Sequence, residues 1–350
     1  MERIILPRIE VRHLLPPEPQ VAIRLRPQHL HWQVGRYKER ITSGPGGLGR
    51  ERVWAPEKEG EQHNLILTQT YDSLIGLHGL LDLGKYAAVG TGSTAPNPSQ
   101  TGLVNEVART NEDTSPPLSE EIEPTPGQAV FKRVREFTES QVGGRNLTEW
   151  GFSPAGTPGG NLMCRELFRD GSGNPVVLTL DSDQRLRLIY SYSFNYTPAI
   201  GTTQNVSVNI AGLGVRTAKL FVSRYEAVFG VVTWHFHALS DWAAGRSSIL
   251  HIPLDRAITP NPDARPFYRP QDGVRINTLG TTLITRGRKI NTRTFAASET
   301  NYTWHGIALI RRPQFDDRGV IFLAFDPGQE FTKSGLYKVV VNEWTLTWGP

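Results

Sequence analysis

A chain of 350 residues is long enough for two domains with their own cores, and its 32 aromatic residues exclude a disordered protein although only 38% of the chain is hydrophobic. A formal charge of +4 is too small at this length to argue for nucleic-acid binding, and the single cysteine, Cys164, excludes an intramolecular disulfide or a cysteine metal cluster. No apolar run reaches the length of a signal core or a membrane span, so the expectation is a soluble protein that is not secreted.

Aromatic and β-branched residues cluster in short runs between Gly, Pro, Asn and Asp, which favours an all-β chain. Arginine outnumbers lysine 30 to 8, with 25 prolines and two methionines. That make-up fits a protein built for heat, and it fits a GC-rich genome equally well.

Residues 1–60 read as an arm: β-like pieces at Val21 to Leu25 and His29 to Val34 lie among prolines and charges. Thr42 to Arg50 reads as a flexible basic loop. Such an arm is either a disordered tail or a long hairpin that reaches a neighbouring subunit. Asn64 to Leu83 carries apolar residues near helical spacing, Tyr86 to Val89 reads as a short buried strand, and Ser99 is placed to cap a helix running to Arg109. Residues 110–127 read as an acidic exposed loop.

From Phe131 onward the chain carries a pattern that returns near its end. Arg135-Glu-Phe137 precedes Asn146-Leu-Thr-Glu-Trp-Gly151, a strand from Met163 to Arg169, a turn, and a long alternating strand from Leu186 to Tyr196. Arg293-Thr-Phe295 precedes Asn301-Tyr-Thr-Trp-His-Gly306, a strand from Val320 to Phe325, a turn at Asp326-Pro-Gly328, and an alternating strand from Leu336 to Trp348. The Asn-to-Gly spacing is the same in both, which predicts a duplicated β-unit. Between the copies, Val206 to Ile210, Ala218 to Val222 and Ile249 to Ile252 read as strands, Val228 to Ala238 as strand or short helix, and Arg286-Gly-Arg-Lys289 as a hairpin tip. The expected fold class is mainly β, with two tandem sandwich or barrel units, a few short flanking helices and long loops. The expected division is an arm over 1–60, a first β-domain over 61–200 and a second over 201–350.

No constellation carries chemistry. Gly90-Thr-Gly92 before a helix has the look of a phosphate cradle but lacks the lysine of a P-loop and the third glycine of a dinucleotide fingerprint, so a tight turn is the default. His29 with His31, and His235 with His237, have the spacing of a strand metal site without a third ligand nearby. Asp170, Asp181 and Asp183 sit in turn sequences, and Cys164 reads as buried and inert. No catalytic, metal or cofactor residue is assigned, and an enzyme is not expected.

Two stretches resemble structural proteins of tailed bacteriophages. One runs from Asn64-Leu-Ile-Leu through Ala88-Val-Gly-Thr-Gly-Ser-Thr-Ala-Pro96 to Gln100-Thr-Gly-Leu-Val-Asn-Glu-Val-Ala-Arg109; the other is Asn146-Leu-Thr-Glu-Trp-Gly-Phe152, then Gly160-Asn-Leu through Asp170-Gly-Ser-Gly-Asn-Pro175. The ending Leu346-Thr-Trp-Gly is similar too. The resemblance is closest to the major tail tube protein of a long non-contractile tail, from a siphophage of a Thermus-like thermophilic host. It implies a β-sandwich or barrel unit with a flanking helix, here Gln100 to Arg109, and loops or an arm that dock between stacked rings. Two units per chain imply trimeric rings with pseudo-sixfold symmetry. The implied partners are further copies of the chain, the tape measure and terminator proteins, and DNA as non-specific cargo, with no membrane; the implied location is the virion, after assembly in the host cytoplasm. Candidate contact residues are Pro45, Gly46, Leu48, Arg50, Arg52 and Trp54 in the arm, Glu112, Asp113, Glu120 and Glu121 in the acidic loop, and Arg286, Arg288 and Lys289 in the basic turn. A tail-tip or fibre receptor-binding protein and a capsid decoration protein are the alternatives.

Overall fold

The structure is a computed structural model that describes residues 21–44, 47–125, 127–198, 202–210, 213–223, 235–245, 248–259, 281–312, 318–336, 338–341 and 344–350. In the first half, β1 (Val21–Gly44) and β2 (Gly47–Gln62) form a hairpin followed by β3 (Leu65–Ile66). A π-helical turn (Thr70–Leu74) runs into α1 (Ile75–His78), then come β4 (Tyr86–Gly90), β5 (Glu106–Thr110), β6 (Glu120–Thr125) and β7 (Gln128–Phe137). After α2 (Glu139–Val142) the chain forms β8 (Asn146–Leu147), β9 (Glu149–Ser153), β10 (Cys164–Leu167), β11 (Leu178–Thr179) and β12 (Arg185–Thr197). The second half has β13 (Gln204–Ile210), β14 (Gly214–Ser223), α3 (His235–Ala244), β15 (Ser248–Pro253), β16 (Thr281–Ile284) and β17 (Gly287–Ile290). It closes with β18 (Arg293–Phe295), β19 (Thr303–Trp304), β20 (Gly306–Arg312), β21 (Arg318–Phe325), β22 (Phe331–Thr332), β23 (Val339–Val341) and β24 (Trp344–Gly349).

The chain is mainly β, and the alternation that marks its strands also sets their faces. Along β12, Leu186, Leu188, Tyr190, Tyr192, Phe194 and Tyr196 are buried on one face, as period-2 patterning requires. They pack on Leu25, Leu30, Trp32 and Val34 of β1, Phe131 and Phe137 of β7, and Trp150 and Phe152 of β9. Phe152 stacks on Tyr190 at 4.6 Å and Phe131 on Tyr192 at 5.2 Å.

Strand pairings in the two halves correspond. The order β3-β10-β9-β4 in the first half matches β14-β21-β20-β15 in the second. The pair β8/β11 matches β19/β22, the hairpin β6/β7 matches β16/β17, and Phe137 opposite Leu186 matches Phe295 opposite Val339. α1 lies between β3 and β4 as α3 lies between β14 and β15. The long strands β7 and β12 are each broken in the second half, into β17 with β18 and β23 with β24. Arg135-Glu-Phe137 therefore corresponds to Arg293-Thr-Phe295, as the motif reading has it. The Asn-to-Gly match is shifted by two residues: Phe168 N–H donates to the Thr148 carbonyl and Phe325 N–H to the His305 carbonyl, so Asn146 is the counterpart of Thr303, not of Asn301. A two-residue slip keeps side chains on the same face, which is why the motif still resembles itself.

Both halves share one curled half-barrel sheet, in the order β16-β17-β24-β1-β12-β7-β6, with β2 also on β1. β1 runs antiparallel to β12 and, over Val21–Arg24, parallel to β24. Since β12 and β24 correspond, the halves are related by a turn that reverses strand direction. The two helices meet near that axis. The Ser240 hydroxyl of α3 accepts the N–H of Leu80 at 2.9 Å, and Gly79, with φ of 75°, lies so close that a Cβ would sit 2.7 Å from it. Trp348 donates its indole N–H to the Tyr71 carbonyl at 2.6 Å, and a single core cluster includes Trp242, Leu220 and Tyr192.

Several expectations are corrected. The helix over Gln100 to Arg109 is absent: residues 101–105 are irregular and Glu106–Thr110 is β5, because the Glu149 carboxylate accepts the N–H groups of Gly92, Val104 and Asn105 at 2.8–3.0 Å and holds the segment extended. Ser99 instead donates to Asn97 within the preceding turn. The helix over Asn64 to Leu83 shortens to 70–78, since Leu65 and Ile66 are claimed by β10. Residues 21–35 are central core strand and not arm, and the segment from Thr42 to Arg50 is strand on both sides of the hairpin tip, where Pro45 and Gly46 lie outside the described residues. Within the acidic loop, Glu120–Thr125 is β6. Residues 1–20 and 260–280, including most of Val274 to Ile284, also lie outside the described residues.

Candidate assembly surface

Beyond Gly35, where β1 leaves β12, β1 and β2 continue as a two-stranded hairpin paired only with itself among the described residues. A register shift at Val34/Gly35 makes the departure, and Gly35 is required there because a Cβ would collide with the Ala55 carbonyl oxygen. Along the arm Tyr37 faces Trp54, Glu39 faces Arg52, Arg40 faces Glu51 and Ile41 faces Arg50. The ion pairs Arg40–Glu51 (2.9 Å) and Arg50–Glu39 (3.2 Å) are solvent-exposed, so they set register more than stability. Ile41 is 71% and Leu48 81% exposed near the tip, an apolar pair with no cover among the described residues.

The base of the arm is fixed by a cluster that sequence reading missed. Glu136 of β7, nearly buried, accepts from Arg187 at 2.8 Å, from Arg185 at 2.9 Å and from the Tyr37 hydroxyl at 3.2 Å. The Arg187 guanidinium lies 4.2 Å over the Trp54 ring, Arg52 lies 5.0 Å over Tyr37, and Trp54 donates to Gln33 at 3.0 Å. Burial together with the Glu136 charge holds the Tyr37 phenol above its ordinary pKa, so it stays a donor. Of the arm candidates, Arg52 and Trp54 belong to this base, and Leu48 and Arg50 to the tip. The available signal was Arg135-Glu-Phe137 itself, whose central glutamate faces away from the core.

The acidic and basic candidates sit at opposite ends of the shared sheet. At the β6 edge, Glu120 pairs with Lys132 (3.5 Å) and Glu121 with Arg133 (2.6 Å). Glu112 offers its carbonyl to the Glu136 N–H. Asp113 is a loop organiser: burial pushes its carboxyl up, but hydrogen bonds from Ser119, Leu118 and Thr114 outweigh that and hold it below the usual range. At the β16 edge, Arg286 reaches Asp72 at 2.7 Å. Arg288 points inward, donating to the carbonyls of Ala243 and Gly76 at 2.7 Å, and burial lowers its pKa; it is therefore not available to a neighbour. Lys289 lies on the outward face of β17. Among the described residues, the strands that carry them stand at opposite ends of the sheet order.

The remaining chemical candidates are absorbed locally. The Gly90–Gly92 segment is occupied by the Glu149 carboxylate, itself held by Arg165 at 2.8 Å with both side chains fully buried. His31 pairs with Glu59 at 3.1 Å; His235 and His237 begin a helix, not a strand. Asp170 caps its turn by accepting the N–H groups of Ser172 and Asn174, and Asp181 and Asp183 contact Arg36. Burial pushes the Cys164 thiol up to about 12. No helix among the described residues is long and apolar enough to cross a membrane. No protein-family model, curated protein or solved structure matches the chain.

Proposed function

We propose that the chain is a structural subunit that assembles with copies of itself into stacked rings, forming the tail tube of a long-tailed, non-contractile phage through which DNA passes. One observation carries the reading: two halves of corresponding topology share a sheet whose end strands are both unpaired on one side among the described residues. Counting along the sheet, β6 and β16 run in opposite directions, so the β16 edge of one copy meets the β6 edge of the next as an antiparallel pair with core faces aligned. Glu120 and Glu121 at one edge and Arg286 near the other are already paired with Lys132, Arg133 and Asp72, so strand direction, and not charge, sets that joint.

Head-to-tail addition of this kind closes rings and removes free edges. On this reading each half is one tail-tube-like β-unit, and three chains give a ring of six units. The reversal within the sheet makes those units alternate in direction around the ring. The protruding hairpin contacts the next ring, tape measure and terminator proteins occupy the lumen and the end, and the virion is the site of action after assembly in the host cytoplasm. Function lies in surfaces and involves no bond chemistry.

Negative-stain electron microscopy of the purified protein across a concentration series tests this. Rings or long hollow filaments are expected. Discrete particles that never stack at high concentration would replace the tube reading with a fibre or decoration protein.

A further inference from the structure

The correspondence between the halves supplies an internal comparison at the arm. The hairpin β1/β2 matches β13/β14, with Leu30 and Trp32 corresponding to Val206 and Val208. Beyond the matched pairs Trp32/Gly60 and Val208/Arg216, the first hairpin encloses residues 33–59 and the second only 209–215. The long arm is thus a property of the first half alone.

The seat under the arm differs accordingly. Glu136 opposite Arg187 in the first half corresponds to Thr294 opposite Val340 in the second, and Arg185 corresponds to Lys338. In the first half this face is covered by Tyr37 and Trp54 of the arm, leaving Glu136 and Arg187 nearly buried. In the second half no described residue covers the matching face: Thr294 and Lys338 are exposed, Val340 is 54% exposed, and Leu336, just before it, is 93% exposed.

We propose that this second-half face, Val340 with Leu336, Thr294 and Lys338, is the docking seat for the hairpin tip of a second copy of the chain. The tip offers what the seat lacks: Ile41 and Leu48, on one face of the hairpin, for Val340 and Leu336, with Glu39, held by Arg50 on that same face, toward Lys338. The arm of the same chain is not the occupant. Its base is tied to Glu136 on the first half, and both its tip and the second-half seat stand exposed. A second copy resolves both exposures at once, covering in the assembly the face that the arm covers within the chain. The proposal rests on self-assembly and adds the contact that joins one layer of copies to the next.

Cysteine crosslinking tests it cleanly, because the sole native cysteine, Cys164, is fully buried. A chain carrying Leu48→Cys and Val340→Cys, assembled and then oxidised with copper–phenanthroline, is expected to give a ladder of covalent dimers, trimers and longer species on non-reducing gels. Each single variant should stop at dimers or monomers. Leu48→Cys with Val177→Cys, an exposed position off the seat, should give at least tenfold less ladder. Filaments that form normally without a ladder would overturn the docking seat and leave the tube reading standing. Failure of the unaltered protein to self-associate would overturn both.

Discussion

Converting the first-half seat to its second-half counterpart measures what the arm gains from it. Glu136→Thr removes the carboxylate paired with Arg187, which also accepts the Tyr37 hydroxyl, and leaves a guanidinium about as buried as Glu136 without that counter-charge. Loss of one partner from a buried pair costs on the order of 3 kcal/mol. Arg187→Val is milder, because Glu136 keeps Arg185 at 2.9 Å and the Tyr37 hydroxyl; a charge-assisted bond and a stacked cation are lost, about 1.5–2.5 kcal/mol. The double variant removes both ends, so its cost should fall short of the sum of the singles by about 1–2 kcal/mol. Urea denaturation followed by circular dichroism gives the three values, and hydrogen exchange at residues 37–54 reports whether the arm loosens. Costs that simply add, or an arm whose exchange is unchanged in Glu136→Thr, would refute the seat as an anchor.

Four further outcomes follow from the same geometry. Glu149→Gln leaves fully buried Arg165 without its counter-charge and weakens three N–H contacts to the 92–105 segment; thermal melts should show a loss of about 3–5 kcal/mol, and an unchanged midpoint would refute the ion pair as the loop's anchor. Gly35→Ala forces a Cβ against the Ala55 carbonyl and should cost about 1–3 kcal/mol, read by chemical denaturation, with loosened exchange beyond residue 35. Cys164, whose thiol pKa is raised from 9.0 to about 12, stays protonated in the folded chain; this contribution is complete below pH 9 and is lost as pH rises toward 12, so a thiol reagent at pH 8 should label only at the rate of unfolding. Removing only the arm's tip, residues 40–51 beyond the Tyr37–Trp54 base, should leave the melt nearly intact and, on the proposed tube reading, abolish stacking in electron micrographs.

Legibility followed the range of the interactions. The strands β10, β12, β13, β15 and β21 were readable because their patterning is a local property of each segment, and Arg135-Glu-Phe137 pointed to Arg293-Thr-Phe295 because in each the phenylalanine is buried opposite an apolar residue of the facing strand. Gln100 to Arg109 misled because its helical spacing is overridden by one distant carboxylate, Glu149, that no local pattern announces. The arm's base was hidden for a similar reason. Tyr37, Trp54, Glu136 and Arg187 come from four strands and meet only through the register of β1 on β12 and β2. The exposed tip residues were visible as sequence, but only the shorter second hairpin shows that the extension is specific to one half.

The reversal of strand direction between the halves has a consequence for any stack. A chain whose halves are related by such a turn offers nearly the same loops at both ends, and rings of it would stack head-to-head as readily as head-to-tail. The broken strands β17/β18 and β23/β24 disturb that equivalence little, since they keep their partners. The hairpin disturbs it most: it adds residues 33–59 to one end, while the face that lacks an arm belongs to the other half. An arm on one half and an uncovered seat on the other cannot both be satisfied by a symmetric pair of rings meeting arm to arm. On the proposed tube reading they are satisfied when every ring points its arms the same way, and the extension that creates the contact then also gives the tube its polarity.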